Sequence, residues 1–221
     1  MTASRSRSLW TASLLFTLAF VALGFLVSHS PEGRIDAAVG RLGGHGSLTA
    51  WMLTISGFFP TQAVLAALII AFALYKRSSI SVTVAALAAL LAAQIFVVPA
   101  KVAFHRVRPI HWFVRHEYTL SYPSGHAATA VAFLGMLIFF LRGSVLSKTV
   151  KNIGTALLAA WILGISASRV ALGAHYLTDV VGGWLLGVAC LCATLAVYTR
   201  FTGATARVAI AKADQMPANH S

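Results

Sequence analysis

Three basic residues, widely separated in the sequence, are of the types that hold a phosphate group. Lys101, Arg108 and Arg169 each lie at or near the end of an apolar stretch, on the same predicted side of a membrane. Ionisable residues at such positions are costly and mark functional sites. Cations that converge without nearby acids repel one another, and an anion with several oxygens relieves that repulsion. Since guanidinium groups pair bidentately with phosphate oxygens, these residues predict a phosphate site.

The tetrapeptide Pro123-Ser124-Gly125-His126 opens a further apolar stretch, and its composition suits a helix N-terminus that faces an anion. Such a terminus presents unpaired N–H groups and the positive end of the helix dipole. Gly125 lets the backbone approach an anion closely, and the Ser124 hydroxyl can donate to the anion or cap the helix. The alternative is a turn and cap without a ligand, with His126 as a cap residue.

His175 and Asp179 are four residues apart, so they share one face if a helix begins near His175. A carboxylate bonded to one imidazole nitrogen fixes the tautomer and makes the other nitrogen a better nucleophile or base. An unpaired carboxylate in an apolar stretch is expensive, so His175 is the expected partner of Asp179. A pair that only ties two helices together is the alternative. His126 has no acid nearby in sequence, which suits a general acid.

Membrane-spanning helices must position these residues. Of the 221 residues, 58% are hydrophobic and 10% are charged, whereas soluble domains carry about 25% charged residues. Several apolar stretches approach the roughly 20 residues of a span. The predicted spans are 9–27, 61–75, 79–98, 126–141, 152–168 and 176–198. We therefore predict an all-α integral membrane bundle of six transmembrane helices in one domain, residues 1–200, with a disordered cytoplasmic tail over 201–221.

The placement of charge predicts the orientation of the bundle. The formal net charge is +12. With Arg5 and Arg7 in the cytoplasm, basic residues recur in every cytoplasmic segment, which is the usual bias of membrane proteins. Both termini are then cytoplasmic, and segments 28–60, 99–125 and 169–175 face outward. Nucleic-acid binding is disfavoured, because the basic residues follow this bias and form no stripe.

Two segments allow more than one interpretation. The first apolar stretch is predicted to be a retained helix, because it is longer than the core of a signal peptide; a cleaved signal peptide is the alternative. Within segment 28–60, Ile35, Val39 and Leu42 have near-helical spacing. That spacing fits an interfacial amphipathic helix and a plain loop equally well.

Together, the three clusters resemble the signature of the type 2 phosphatidic acid phosphatase superfamily, which is K-x6-R-P, P-S-G-H and S-R-x5-H-x3-D. The sequence reads K-VAFHRV-RP from Lys101 to Pro109, PSGH from Pro123 to His126, and SR-VALGA-H-YLT-D from Ser168 to Asp179. Every signature position is filled, in order. The resemblance implies a bacterial plasma-membrane enzyme whose catalytic pocket lies at the non-cytoplasmic ends of its helices.

The resemblance also implies a role for each signature residue. His175 corresponds to a nucleophile that forms a phosphohistidine, Asp179 orients it, and His126 protonates the leaving group and then activates water. The phosphate-binding positions are Lys101, Arg108, Ser124, Gly125 and Arg169. The supporting positions are Pro109, Pro123 and Ser168. Fixed cations supply the charge stabilisation, so neither a metal nor another cofactor is expected.

The implied substrate is a lipid phosphate or diphosphate that reaches the site from the surrounding membrane lipids. Undecaprenyl diphosphate, cleaved to undecaprenyl phosphate, is the first choice, followed by phosphatidylglycerol phosphate or phosphatidic acid and then by a lipid A-type phosphate. This order rests on how common these activities are among short bacterial relatives. A phosphotransferase remains open, as do the oligomeric state and the roles of the outer-loop residues His111, Trp112, Arg115 and His116. A non-catalytic lipid transporter is the alternative of another class, and a vanadate haloperoxidase is disfavoured by the apolar spans.

Overall fold

The structure is a computed structural model that describes residues 2–28, 32–42, 47–75, 81–109 and 119–214. The described part contains helices and no strands. Its helices, in chain order, are α1 (Thr2–Ser28), α2 (Arg34–Leu42), α3 (Leu48–Ser56), α4 (Phe59–Tyr75), α5 (Ser81–Phe104), α6 (Gly125–Gly143), α7 (Lys148–Ala171) and α8 (Leu177–Asp214).

Five of these helices, α1, α5, α6, α7 and α8, are each long and apolar enough to cross a membrane. Helices α3 and α4 form a bent pair that gives a sixth span if the pair crosses as one unit. The predicted all-helical membrane bundle is therefore confirmed. The count of six spans stays a prediction that depends on this bent pair.

The bend between α3 and α4 is 57°, and local sequence accounts for it. Ser47 caps α3, because its side chain accepts a hydrogen bond from the Ala50 N–H at 3.1 Å. At the other end of α3, Gly57 lies against α7 so closely that a Cβ there would be 2.5 Å from Cγ2 of Ile165. Pro60 lies in the first turn of α4, where its missing N–H costs no helical bond. The apolar run before residue 61 is thus a separate helix.

Helix α5 is longer than predicted, since it continues past residue 98 to Phe104. Pro99 lies inside it and cannot donate to the carbonyl four residues earlier. Membrane helices tolerate such a proline when neighbouring groups satisfy the freed carbonyl. As a result, Lys101 lies in the last turn of a helix.

Helix α8 also exceeds its predicted length. It begins at Leu177 and continues through Asp214, well into the segment 201–221 that was predicted to be a disordered tail. The last residues of that segment, from 215, lie outside the described part of the chain.

The first and the last spans pack against each other in opposite directions. Ser6 of α1 donates to the Ala196 carbonyl at 3.2 Å, and Ser13 donates to the Ala189 carbonyl at 2.9 Å. Both hydroxyls are buried. The direct contact between α1 and α8 closes the bundle.

Glycines let α8 approach α6 very closely. A Cβ at Gly183 would lie 2.5 Å from the Ser124 carbonyl oxygen, and one at Gly187 would lie 2.6 Å from the Ala128 carbonyl oxygen. Small residues at such contacts are the usual means by which membrane helices pack. This packing fixes the N-terminus of α6 relative to the first turns of α8.

The C-terminal ends of α1, α5 and α7 and the N-terminal ends of α6 and α8 gather at one end of the bundle. Tyr122 lies at the centre of this end, fully buried, and its hydroxyl donates to the Phe20 carbonyl at 2.7 Å. Its ring stacks on Phe20 with centroids 5.4 Å apart and meets Phe104 edge-on at 5.2 Å. The signature residues lie around this aromatic cluster.

Helix α2 packs across the same end of the bundle. Of the two interpretations of this segment, the structure has the helix. Ile35 is exposed, whereas Asp36 is 3% exposed and contacts α8. One polar residue of the amphipathic helix is therefore directed into the protein.

Candidate active site

His175 lies in the short connection between α7 and α8 and is almost completely buried. Gly173 permits the turn, because its φ of 66° lies in the left-handed region that favours glycine. The backbone N–H groups of Ala174 and His175 both donate to the Arg169 carbonyl, at 3.0 and 3.2 Å. These bonds fix the imidazole just before the first turn of α8.

The two nitrogens of the His175 ring face opposite charges. Nε2 lies 3.1 Å from Nη1 of Arg108. Nδ1 lies 3.5 Å from Oδ2 of Asp179. At this distance the two groups interact electrostatically, but they are too far apart for a hydrogen bond. The predicted pairing of His175 with Asp179 is therefore a close approach, and Nδ1 has no hydrogen-bond partner among the described residues.

Asp179 is completely buried in the first turn of α8. Its Oδ1 accepts a bond from Nη1 of Arg106 at 2.6 Å. Its Oδ2 accepts bonds from the Ser121 hydroxyl and from the Tyr176 N–H, the latter at 2.9 Å. This carboxylate is therefore held by three donors besides the nearby imidazole.

Arg108 and Lys101 donate to oxygens of the segment that precedes α6, and Arg108 also donates to the connection between α7 and α8. Arg108 donates to the Thr119 carbonyl at 2.5 Å, to the Thr119 hydroxyl at 2.8 Å and to the Ala174 carbonyl at 2.7 Å. Nζ of Lys101 donates to the Leu120 carbonyl. The Ser121 N–H donates to the Arg106 carbonyl at 2.7 Å, so residues 105–109 and 119–121 run side by side.

Arg169 and Ser168 lie at the end of α7, and both are 2% exposed. The Ser168 hydroxyl lies 2.7 Å from Oγ1 of Thr54 and donates to the Ile165 carbonyl at 2.6 Å. Nη1 of Arg169 lies 3.5 Å from the same Thr54 oxygen. The bent pair of α3 and α4 thus contributes Thr54, which contacts both residues.

The predicted N-terminus of α6 is present, and its serine does not cap it. Ser124 occupies the N-cap position but makes no side-chain cap bond, and its buried Oγ has no partner among the described residues. The Ser124 N–H donates to the Asp179 carbonyl at 3.0 Å. The preceding Tyr122–Pro123 peptide bond is cis. The Ser124 hydroxyl therefore has hydrogen-bonding capacity at the N-terminus of α6 that the described residues leave unused.

His126 lies in the first turn of α6, with its ring edge-on to Phe58 at a centroid distance of 4.7 Å. Its Nε2 has no hydrogen-bond partner in the described part of the chain. The packing against Phe58 orients the ring and leaves that nitrogen to bond with a ligand.

A cavity of about 250 Å³ brings the predicted residues together. His126, His175, Lys101, Arg108 and Gly125 line it, and the rest of its wall is mostly apolar. The other lining residues are Gly57, Phe58, Phe59, Pro60, Gln94, Val97, Val98, Thr119 and Thr129. Asp179, Ser124, Ser168 and Arg169 are buried outside this lining.

The pKa of His175 is held well below its usual value of 6.5. Burial is the largest cause, and the positive charges of Arg108, Lys101 and Arg169 act in the same direction. Both causes disfavour a positive charge on the imidazole. The imidazole is therefore neutral near pH 7 and retains a lone pair.

Three residues of this network were not predicted from the sequence: Arg106, Asp36 and Ser121. Arg106 occupies a variable position of the first motif. Asp36 lies about 70 positions earlier in the sequence, and the two residues come together only in the folded chain. The one available signal was that Asp36 is an acid in a short amphipathic segment. Pro109 follows Arg108 in the described part, while His111, Trp112, Arg115 and His116 lie outside it.

Comparison with known proteins gives one family and several relatives. The family model described as the PAP2 superfamily matches residues 82–202. Phosphatidylglycerophosphatase B from Bacillus subtilis is 41% identical over 86 residues, a match that covers 38% of this chain and only 41% of that protein. Lipid A 1-phosphatase from Rhizobium etli is 29% identical over 216 residues, covering 86% of each chain.

A solved structure shares the fold. It is the crystal structure of a transmembrane PAP2-type phosphatidylglycerolphosphate phosphatase from Bacillus subtilis, which matches with a TM-score of 0.73. The match covers 87% of this chain and 96% of that one, at 22% sequence identity.

Proposed function

The chain belongs to the PAP2 superfamily, and from that premise we propose that it is a membrane phosphatase that cleaves a lipid phosphate through a phosphohistidine on His175. One observation carries the proposal: two imidazoles, of His126 and His175, line the same cavity as two cations, Lys101 and Arg108. A phosphorus atom between two imidazoles can be attacked from one side while the leaving oxygen is protonated from the other.

The contacts of His175 support Nε2 as the attacking atom. A guanidinium has donors and no acceptor, so the 3.1 Å contact with Arg108 requires a lone pair on Nε2. The ring proton is then on Nδ1, which faces Asp179. In the first step Nε2 forms a bond to phosphorus while the bond to the leaving oxygen breaks, and Arg108 exchanges its contact with Nε2 for phosphate oxygens. His126 takes up a proton when the phosphate anion enters the cavity, and it gives this proton to the leaving oxygen.

The second step returns the enzyme to its starting state. His126, now neutral, removes a proton from water, and the water oxygen attacks phosphorus as the bond to Nε2 breaks. Asp179 stabilises the positive charge that the His175 ring carries while it is phosphorylated. The products are the dephosphorylated lipid and inorganic phosphate.

Fixed positive charge stabilises the phosphoryl group throughout the reaction. Lys101 and Arg108 line the cavity, and Arg169 lies behind it. Preorganised cations in a buried site strengthen electrostatic stabilisation without reorganisation. Ser124 adds its hydroxyl, and Gly125 allows the approach of the phosphate to the α6 N-terminus. No step is assigned to a metal ion.

The substrate proposal is a phosphorylated lipid whose apolar part lies against the apolar wall formed by Phe58, Phe59, Pro60 and the Val97-Val98 pair. The names of the relatives make phosphatidylglycerol phosphate and the 1-phosphate of lipid A strong candidates. Undecaprenyl diphosphate remains the first choice from the sequence. We propose that the site opens on the outer face of the plasma membrane, so these lipids arrive from the outer leaflet.

The first experiment tests the nucleophile. Purified protein in detergent is given each of the three lipids with a radiolabelled phosphate, and free phosphate is measured. His175→Ala should abolish turnover but still bind substrate, because the cations remain. Quenching the wild-type reaction without acid should trap the label on His175. Label on Ser124, or turnover by His175→Ala, contradicts the proposal.

The same assay separates the alternatives. A phosphotransferase releases less free phosphate when an acceptor lipid with a hydroxyl group is added, and the label moves to that lipid. A transporter without catalysis releases no phosphate from any of the three lipids.

A further inference from the structure

A buried chain of charges connects α2 to the catalytic carboxylate. The Arg106 guanidinium lies between two acids, with Nη1 2.6 Å from Oδ1 of Asp179 and Nη2 2.9 Å from Oδ2 of Asp36. All three side chains are at most 5% exposed. Each of these three charged groups depends on the others, because a buried charge left without its partner would strongly destabilise the fold.

Further contacts hold the same three residues. Asp36 accepts bonds from the N–H and the hydroxyl of Thr178, at 3.0 and 2.7 Å. Nη1 of Arg106 donates to that hydroxyl at 2.6 Å, and its guanidinium carbon lies 4.3 Å from the centre of the Tyr176 ring. Asp36 therefore fixes Arg106 against the first turn of α8, where Asp179 lies.

The two carboxylate oxygens of Asp179 contact different groups. Arg106 binds Oδ1, which leaves Oδ2 facing Nδ1 of His175. The carboxylate cannot rotate about its bond without breaking the contact with Arg106. Arg106, which does not line the cavity, is therefore one of three donors among the described residues that orient the carboxylate toward the nucleophile, with the Ser121 hydroxyl and the Tyr176 N–H on Oδ2.

The charge balance explains why a second acid is needed. Arg106 and Asp179 alone would form a neutral pair, and the attraction between Asp179 and a positively charged phosphohistidine would be largely cancelled. With Asp36 included, two carboxylates share one guanidinium, so this set of three side chains carries one net negative charge. At short range in a buried site, such a charge matters far more than it does in water.

We propose that Arg106 and Asp36 are positioning residues for the reaction: Arg106 aligns Asp179, and Asp36 keeps that carboxylate electrostatically effective toward His175. This inference rests on the proposed function of the same site. Asp36 lies outside residues 82–202, which match the family model, so this support comes from a part of the chain beyond the family match.

The test compares kcat with substrate affinity. Arg106→Gln should lower kcat about 10²-fold, as a misplaced catalytic group does. Asp36→Asn should lower kcat by a smaller factor, because it keeps the shape but loses the charge. KM and competitive inhibition by inorganic phosphate should stay unchanged, since Lys101 and Arg108 are untouched. Arg106→Lys, which keeps the charge, should recover part of the loss.

A control variant and a double variant separate positioning from folding. Arg142→Gln removes an arginine whose partner is the exposed Asn152, at 2.7 Å, and should leave kcat unchanged. In an Asp179→Asn background, Asp36→Asn should lower kcat no further, because Asp36 acts through Asp179. Thermal unfolding of each variant in detergent reports any loss of fold separately.

The outcomes that overturn the inference are distinct from those that overturn the proposed function. If Asp36→Asn lowers kcat by the same factor with and without Asp179, or if Arg106→Gln raises KM and leaves kcat intact, the positioning role is wrong. If His175→Ala retains turnover, the phosphohistidine mechanism itself is wrong.

Discussion

His175 lies between a guanidinium on one ring nitrogen and a carboxylate on the other. At the scale of single residues, this placement supports Nε2 as the proposed nucleophilic atom. The surrounding cations have two effects in the proposed mechanism, because they would hold phosphate and they also disfavour a charged imidazole before phosphate arrives. A protonated His175 has no lone pair for attack.

The acid limb of the pH–rate profile should therefore lie below pH 6.5, the usual pKa of histidine. Burial and then the charges of Arg108, Lys101 and Arg169 lower the pKa of His175, so the neutral form persists as the pH falls toward that lowered pKa. The relevant measurement is kcat/KM, which reports the free enzyme. The pKa of the substrate phosphate is measured separately by phosphorus NMR, and the contribution of its ionisation is subtracted from the pH–rate profile.

Lys101→Met gives the matched comparison. Loss of one positive charge raises the pKa of His175, so the acid limb should move to higher pH even though the maximal rate also falls. A wild-type limb at or above pH 6.5, or a limb that does not move in Lys101→Met, contradicts this account.

Sequence reasoning predicted the residues of the site whose spacing forms a signature. The structure brings His126, His175, Lys101 and Arg108 into one cavity. The contacts of Arg106 with Asp36 and Asp179 were not predictable, because each acid lies about 70 residues from Arg106 in the sequence, Asp36 before it and Asp179 after it. Whether Ser124 caps α6 was also undecidable, since that depends on a rotamer.

At the scale of the helices, glycines set the geometry of the site. The contact of α8 with α6 leaves no space for a methyl group at Gly183, where a Cβ would also lie 2.9 Å from Cβ of Ala127. The α6 N-terminus carries Gly125 and His126, so any displacement of α6 moves His126, the proposed proton donor.

Gly183→Ala should therefore destabilise the protein by about 1–3 kcal/mol, the usual cost of overpacking. The obstacle is the Ser124 carbonyl, which is backbone and cannot rotate away. The measurement is the midpoint of thermal unfolding in detergent. Gly143→Ala is the control, because nothing lies within 4 Å of a Cβ there. A Gly183→Ala protein as stable as Gly143→Ala would show that α8 can shift without cost.

The existence of the helices was easier to predict than their ends. Long apolar runs identify membrane-spanning helices, because a helix needs about 20 apolar residues to cross the hydrocarbon core of a bilayer. Hydropathy says little about where a helix stops in the headgroup region. Helix α5 thus continues through Pro99, and the run before residue 61 bends at Gly57, where close contact with Ile165 decides the path.

At the scale of the whole molecule, the charge distribution predicts which end faces the cytoplasm. The end that carries the cavity also carries Glu32 and the exposed Gly33, while Val145, between α6 and α7, lies at the opposite end and is fully exposed. Gly33 and Val145 are therefore suitable positions for labels that distinguish the two sides of the membrane.

A labelling experiment tests this orientation. In a protein with Cys190 and Cys192 replaced by alanine, Gly33→Cys should react with a membrane-impermeant maleimide in intact cells. Val145→Cys should react only after the membrane is opened. The reverse pattern would place the active site in the cytoplasm and exclude substrates of the outer leaflet.

The contact between α1 and α8 has a consequence for biosynthesis. Ser6 and Ser13 bond to carbonyls of Ala196 and Ala189, so α1 is synthesised well before α8, the helix against which it packs. His175 and Asp179 enter the bilayer with that same final span. A nascent chain would therefore lack the proposed nucleophile while its preceding helices insert, and the proposed activity would begin only after α8 is synthesised.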